Sequence, residues 1–270
     1  MGEAPAARLL DGRSPGQEVC DGNWRLARHA FMVPGMFADW LKPVEVSTFI
    51  EAQLERQPYA RPGAATGSVP LFGWETFDRV LASTAAPVDV LTVAAGRLVD
   101  VPAPRSAADV QRLMRVGTGV STVVRASEQH DPALAALAES FSTALSGEVH
   151  VQLYATPAGT HSYGWHYDFE DVFIAQTLGI KDYYFRDNTV ARDTRLGDTL
   201  DFTVVRDEKS QLMGAQLLAG DWLYIPRRWW HLVKCVEDSL SISVGVMPLE
   251  AIAGARRIPA GWSGKVARPG

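Results

Sequence analysis

The spacing of apolar residues changes character at Gly147, and that change limits the possible folds more than any other feature of the chain. Before it, apolar residues recur at helical spacing. The stretch 47–57 carries Phe49, Ile50 and Leu54 at that spacing and stops at Pro58, whose ring excludes a continuing helix. A short helix is predicted over 74–82. Another opens at Ser106, where Ser106 and Asp109 form an S-x-x-D cap ahead of Val110, Leu113 and Met114. Asp131 and Pro132 supply an N-cap and a first-turn proline for a fourth helix, with Leu134, Leu137, Phe141 and Leu145 on one face and Gly147 as its stop. Within this half, 88–93 reads as a strand. After Gly147 come short β-type runs separated by turn residues, at 149–154, 171–178, 182–185, 200–205, 222–225 and 240–246. Strands at such intervals imply an antiparallel sandwich or barrel. Helices first and a β-barrel second predict an α+β chain.

Four regions follow from this pattern. Residues 1–22, rich in Ala, Gly, Pro and charge without periodicity, read as a disordered leader. Residues 23–146 form a helical N-terminal part, 147–250 the β core, and 251–270 a short tail. At 270 residues, 47% hydrophobic and 21% charged, the chain has enough apolar surface for a real core. A net charge of -5 provides no general field for gripping phosphate backbones, which disfavours nucleic acid as a partner. Two cysteines, Cys20 and Cys235, do not make a disulfide framework, which points to the cytoplasm. No apolar run approaches the roughly 20 residues that span a bilayer, so no membrane partner is expected.

Of the six histidines, His166 alone begins an H-x-D triplet, His166-Tyr167-Asp168. On an extended strand, residues i and i+2 point to the same side, so an imidazole and a carboxylate would converge on one point. Two His and one carboxylate on one octahedral face leave three positions open, the arrangement of non-haem Fe(II) oxygenases. His231, in the segment Gly220-Asp-Trp-Leu-Tyr-Ile-Pro-Arg-Arg-Trp-Trp-His231, supplies a third ligand. Alone, H-x-D is a weak signal, and His29, His130, His150 and His161 read as ordinary core or surface residues.

The surroundings strengthen it. The run from His166 to Lys181, the Gly220 to His231 segment and Ser239-Leu-Ser-Ile-Ser-Val-Gly245 resemble the JmjC/cupin-type 2-oxoglutarate oxygenases, with particular similarity to the ribosomal oxygenases and the hypoxia-pathway asparaginyl hydroxylase. The resemblance extends through Gly117 to Val124 and Gln152 to Pro157. It implies a double-stranded β-helix, a jelly-roll, with an N-terminal helical elaboration. It also implies Fe(II) held by His166, Asp168 and His231, with 2-oxoglutarate and O2 as cosubstrates. In that family the basic residue that binds the far carboxylate of 2-oxoglutarate lies 15 positions after the first iron histidine, which here is Lys181, one of five lysines in the chain. Gln152 and Tyr154 match positions that help line the cosubstrate pocket. Tyr163 stands where some relatives place a cosubstrate-binding Thr. Packing explains Gln152 and Tyr154 nearly as well.

Ser239, Ser241 and Ser243 alternate with Leu240, Ile242 and Val244, which predicts a polar barrel interior without assigning any one serine. The aromatic group Trp165, Tyr167, Trp229 and Trp230 either walls the pocket or packs the core. The stretch 187–212 reads as a solvated hairpin or a cover for the pocket. Two departures stand out: Gly245 replaces a polar residue common near the metal, and the chain ends soon after the barrel, where ribosomal oxygenases continue. The implied activity is hydroxylation of an unactivated C–H bond on an amino-acid side chain of a protein or peptide. A free amino acid or small metabolite is the alternative substrate, and a non-catalytic cupin-like binding module the alternative class. The oligomeric state stays open, a homodimer being one option.

Overall fold

The computed structural model describes residues 35–115, 119–161, 163–187 and 210–248. Its helices are α1 (Met36–Leu41), α2 (Val46–Ala52), α3 (Trp74–Leu81), α4 (Ala107–Arg115) and α5 (Pro132–Leu145). Local chemistry sets their ends. The Asp131 carboxylate accepts the N–H groups of Ala133 and Leu134 at 2.9 and 3.3 Å, which caps α5 as its sequence predicts. The same carboxylate receives Arg79 from α3 at 3.0 Å. Ahead of α4, Ser106 Oγ accepts the Asp109 N–H and the Asp109 carboxylate accepts the Arg105 N–H.

One expected helix stop is corrected. The helix α5 ends on Ser146, which takes the left-handed conformation at φ 53°, and Gly147 already begins a strand. Glycine is needed there for a different reason: a Cβ on Gly147 would lie 2.6 Å from Val246 Cγ1 and 2.8 Å from the Met247 carbonyl oxygen.

The strands are β1 (Tyr59–Arg61), β2 (Asp89–Ala94), β3 (Arg97–Leu98), β4 (Ser121–Arg125), β5 (Gly147–Thr156), β6 (Asp171–Leu178), β7 (Lys181–Arg186), β8 (Met213–Leu217), β9 (Trp222–Ile225), β10 (Trp230–Cys235) and β11 (Ser239–Pro248). They form a major sheet in the order β1-β9-β6-β11-β5-β4-β2-β3 and a minor sheet in the order β10-β7-β8, with antiparallel neighbours throughout. The fold is an α+β double-stranded β-helix. Strands β1 to β4 come from before Gly147, so the large sheet draws on both halves of the chain. The predicted strand at 200–205 lies outside the described residues. Among the described residues no helix is long and apolar enough to cross a membrane.

Alternation along β11 divides the interior into two layers. Leu240, Ile242, Val244 and Val246 belong to a core that also holds Phe37 and Trp40 of α1, Phe49 of α2, and Leu134, Leu137 and Phe141 of α5. Fully burying a side chain such as Phe contributes roughly 1.5–3 kcal/mol, and Phe37 packs 4.6 Å from Phe141 and 5.4 Å from Phe173 between ring centres. A second core joins the two sheets through Val172, Ile174, Tyr183, Phe185, Leu223 and Ile225. The remaining face of β11, Ser239, Ser241, Ser243 and Gly245, therefore lines the space between the sheets.

Candidate active site

In β10, His231 pairs with Phe185, and across the open end of the barrel it meets His166. The two residues exchange both backbone hydrogen bonds, His166 N–H to His231 O at 3.1 Å and His231 N–H to His166 O at 2.8 Å. This single antiparallel bridge, rather than the extended strand expected for His166-Tyr-Asp168, aligns the imidazoles, since a hydrogen-bonded antiparallel pair projects both side chains to one side. Their ring centres lie 4.1 Å apart. Asp168 is held by its own backbone: its carbonyl oxygen accepts the Arg228 N–H at 2.7 Å, with Arg228 at φ 65°.

His166, Asp168 and His231 offer ligand atoms that all lie within 4.8 Å of one another. Asp168 Oδ2 stands 3.5 Å from His231 Nε2. The imidazoles are primed for a metal by their other nitrogens. Nδ1 of His166 lies 2.8 Å from the Gly164 carbonyl oxygen, and Nδ1 of His231 lies 3.0 Å from that of Trp229. A carbonyl oxygen can only accept, so Nδ1 carries a hydrogen and Nε2 is the atom that each ring can turn to a metal. Burial, with the neighbouring His166, pulls the pKa of His231 down to about 4, against the opposing pull of Asp168, so His231 is neutral at physiological pH. Two imidazoles and one carboxylate fit a divalent transition metal.

Lys181, the first residue of β7, is buried and donates from Nζ to Ser241 Oγ at 2.8 Å. It pairs with Cys235 while His231 pairs with Phe185, so the ammonium is anchored four ladder positions from the metal side, ~13 Å of strand. Its Nζ lies 5.7 Å from the Tyr154 ring centre. Burial lowers the Lys181 pKa from 10.5 to about 8. Tyr154 and Gln152 share the inner face of β5, opposite Ser241 and Ser243, and the Tyr154 hydroxyl donates to Gln152 Oε1 at 2.9 Å. That hydroxyl proton is thus held by the neighbouring side chain, and burial raises the pKa of Tyr154. Tyr163 packs beside the metal ligands, its ring centre 5.5 Å from that of His166; burial and then Asp168 push its pKa up to about 12.

The aromatic group divides. Trp230 meets Tyr167 edge-on at 4.9 Å, Trp229 joins the core between the sheets, and Trp165 lies under Arg186, 5.7 Å from its guanidinium carbon. Three further site residues are assigned only with the structure in hand. Ser241 holds Lys181, and Tyr183, two residues after Lys181 on the same face of β7, is buried beside it. The alternation of β11 and β7 hinted at both. Glu170, two residues after Asp168, tucks its carboxylate against Gly245; burial and then Asp168 raise its pKa to about 7, opposed by His150. The pairing of an acidic side chain with a glycine 75 positions away (245 minus 170) leaves no signal in sequence spacing. Most of 187–212 lies outside the described residues.

Residues 125–252 match the family model described as JmjC domain. Ribosomal oxygenase 1 of Danio rerio is 30% identical over 114 residues, 42% of this chain and 20% of that protein. Among solved structures, Escherichia coli ycfD matches with a TM-score of 0.57 at 19% identity, over 75% of this chain and 53% of the other. A structure of YcfD, a ribosomal oxygenase from Escherichia coli in complex with cobalt and 2-oxoglutarate, matches with a TM-score of 0.56 at 18% identity, over 83% of this chain and 64% of the other. The chain thus spans a fifth of the fish relative and about half to two thirds of the bacterial structures. His166, Asp168, Lys181 and His231 all lie within the segment that matches the JmjC domain.

Proposed function

We propose that this chain is an Fe(II)- and 2-oxoglutarate-dependent oxygenase that hydroxylates an unactivated C–H bond, on an amino-acid side chain of a protein or peptide. The observation that carries the reading is the convergence of His166, Asp168 and His231, ligand atoms within 4.8 Å, on the same interior as a buried lysine. A purely structural barrel gains nothing from burying an ammonium at the far end of that interior. Cobalt and 2-oxoglutarate bound to the similar bacterial protein support the same pairing of metal and keto acid. The ribosomal oxygenases among the relatives favour a protein substrate over a free metabolite.

When bound, the iron and keto acid supply oxidising power for a C–H bond, using O2 and releasing succinate and CO2. The protein's share is ligation, orientation and exclusion of water. His166 and His231 would present Nε2 to the metal while the Gly164 and Trp229 carbonyl oxygens fix each ring through Nδ1. Asp168 would supply the anionic ligand and partly balance the metal's charge. Lys181, steadied by Ser241, would pair with the distal carboxylate of 2-oxoglutarate, where an ammonium inside a dry barrel is worth more than at a surface. Gln152 and Tyr154, hydrogen-bonded to one another, would line the side of the cosubstrate; Tyr163 would close the wall beside His166.

The test is succinate release and mass gain by the full chain, screened over proteins, peptides and amino acids from the source cell under Fe(II), 2-oxoglutarate and air. A gain of one oxygen on a protein side chain is the expected outcome. Oxygen gain on free amino acids or metabolites alone would move the substrate class. If anaerobic titration detects neither iron nor 2-oxoglutarate binding, the oxygenase reading fails and a binding module takes its place.

A further inference from the structure

We propose that Asp171 is a positioning residue for the metal centre, fixing the backbone of Asp168 against the turn that leads into His231; the inference rests on the metal site of the oxygenase reading above. Asp171 opens β6 and stands opposite Val246 of β11. Val246 belongs to the core outside the barrel, and residues directly opposite in an antiparallel pair share a face, so the Asp171 side chain leaves the sheet on the side away from the metal ligands. Among the described residues it makes no hydrogen bond or ion pair with His166, Asp168 or His231. Its contact is with the turn between β9 and β10. Asp171 Oδ1 accepts the Arg227 N–H at 3.2 Å, and the next amide along, that of Arg228, donates to the Asp168 carbonyl oxygen at 2.7 Å. Two consecutive N–H groups of one turn are thus taken by residues 168 and 171, which clips the stretch carrying Asp168 to the stretch carrying His231.

Asp171 is 5% exposed and is itself held in a closed ring. The Tyr224 hydroxyl donates to Asp171 Oδ1 at 2.6 Å and accepts the Glu55 N–H at 2.8 Å. The Glu55 carboxylate pairs with the Arg227 guanidinium, and the Arg227 amide returns to Asp171. Glu55 within the ring and Arg228 beside it both take the left-handed conformation, at φ 60° and 65°. Residues other than glycine held there cost on the order of 1–3 kcal/mol, and they persist only where their surroundings over-determine them. Here the ring does so. Without the Asp171 acceptor the Arg227 amide loses its partner and the strain at Arg228 is free to relax, which turns the Arg228 N–H away from the Asp168 carbonyl oxygen. Asp168 then loses its fixed place relative to His231. A carboxylate that no substrate can reach therefore sets the geometry of one that the metal needs.

The experiment titrates Co(II) into the full chain without O2 and records the dissociation constant and the visible ligand-field spectrum, with the folding of each variant checked by circular dichroism. Asp171→Ala should bind Co(II) about tenfold more weakly or worse, with an altered spectrum because Asp168 meets the ion in a changed orientation. Asp171→Asn should stay within about threefold of wild type, since its amide oxygen accepts the same two hydrogens. Tyr224→Phe opens the ring without removing a charge; it should weaken Co(II) binding in the same direction, and it carries the test if Asp171→Ala does not fold. Asp131→Ala, which loosens α5 and leaves the turn bonded, controls for general destabilisation and should keep the wild-type affinity and spectrum. Three outcomes overturn the proposal: wild-type Co(II) affinity and spectrum in Asp171→Ala, or in Tyr224→Phe where the alanine variant does not fold; an equal loss in Asp131→Ala; or an Asp171→Asn protein as impaired as Asp171→Ala, which would assign the effect to charge. A wild-type chain that binds no Co(II) sinks the metal centre and this inference with it, whereas wild-type binding that Asp171→Ala leaves untouched sinks this inference alone.

Discussion

Lys181 is placed where it harms stability. Burial lowers its pKa from 10.5 to about 8, a difference worth roughly 3 kcal/mol between the charged and neutral forms. Because the folded pKa is below the unfolded one, the unfolded chain holds this proton more tightly. The penalty is full below about pH 8 and fades as pH rises towards 10.5. Lys181→Met should therefore stabilise the protein at pH 7 by roughly 2–3 kcal/mol, after about 1 kcal/mol is deducted for the lost hydrogen bond to Ser241. Denaturant titration at several pH values checks this, and a variant no more stable than wild type at pH 7 refutes it. The same variant should bind 2-oxoglutarate about 30-fold more weakly or worse, since losing one partner of a buried charge pair costs about 2–5 kcal/mol. An unchanged dissociation constant by calorimetry would remove Lys181 from the site. His166→Ala and Asp168→Ala each delete a ligand. Their loss of Fe(II) affinity should exceed the ~10–100-fold typical of changes behind the ligands, with the circular dichroism spectrum unchanged; wild-type metal binding by both would sink the centre.

At the scale of elements, the turn between β6 and β7 aims that lysine. Gly179 sits there at φ 69°, and a Cβ would come 2.2 Å from the Asp238 carbonyl oxygen. Backbone, unlike the end of a flexible side chain, cannot step aside cheaply. The Gln176 amide also spans the turn, donating to the Leu178 oxygen at 2.7 Å. Gly179→Ala should cost more than about 1 kcal/mol and weaken 2-oxoglutarate binding without altering metal affinity. A melting temperature equal to wild type would show that the turn tolerates a side chain. At the other end of the fold, Asp131→Ala removes both the cap of α5 and the partner of Arg79, so a loss of about 1–2 kcal/mol is expected by chemical denaturation.

For the molecule as a whole, the JmjC match begins at Arg125, yet the core on the outer face of β11 is filled by Phe37, Trp40, Phe49, Phe72 and Phe77 from upstream. Trp222 Nε1 donates to the Trp40 carbonyl oxygen at 2.7 Å, across 182 residues of sequence. A fragment limited to 125–252 would expose that apolar sheet face to water. It should aggregate or bind a hydrophobic dye, with amide exchange far faster than in the full chain; a monomeric fragment with native-like protection would show that the upstream helices are dispensable.

The sequence alone determined the layers and singled out the candidate metal ligands. Period-2 runs marked β6 and β9 to the residue and Asp131-Pro132 marked the start of α5, because short-range patterns record which face of an element meets water, while the H-x-D triplet and His231 pointed to three side chains that do converge and the family resemblance pointed to Lys181. Tertiary structure decided what those patterns cannot encode. The strand β1 is three residues long and takes its place only from pairing with β9. The imidazoles meet through one bridge, not a strand, and a carboxylate at 170 settles on a glycine at 245. Such contacts join segments far apart in the chain, and their energy comes from space left or filled by a distant partner, which no local spacing records.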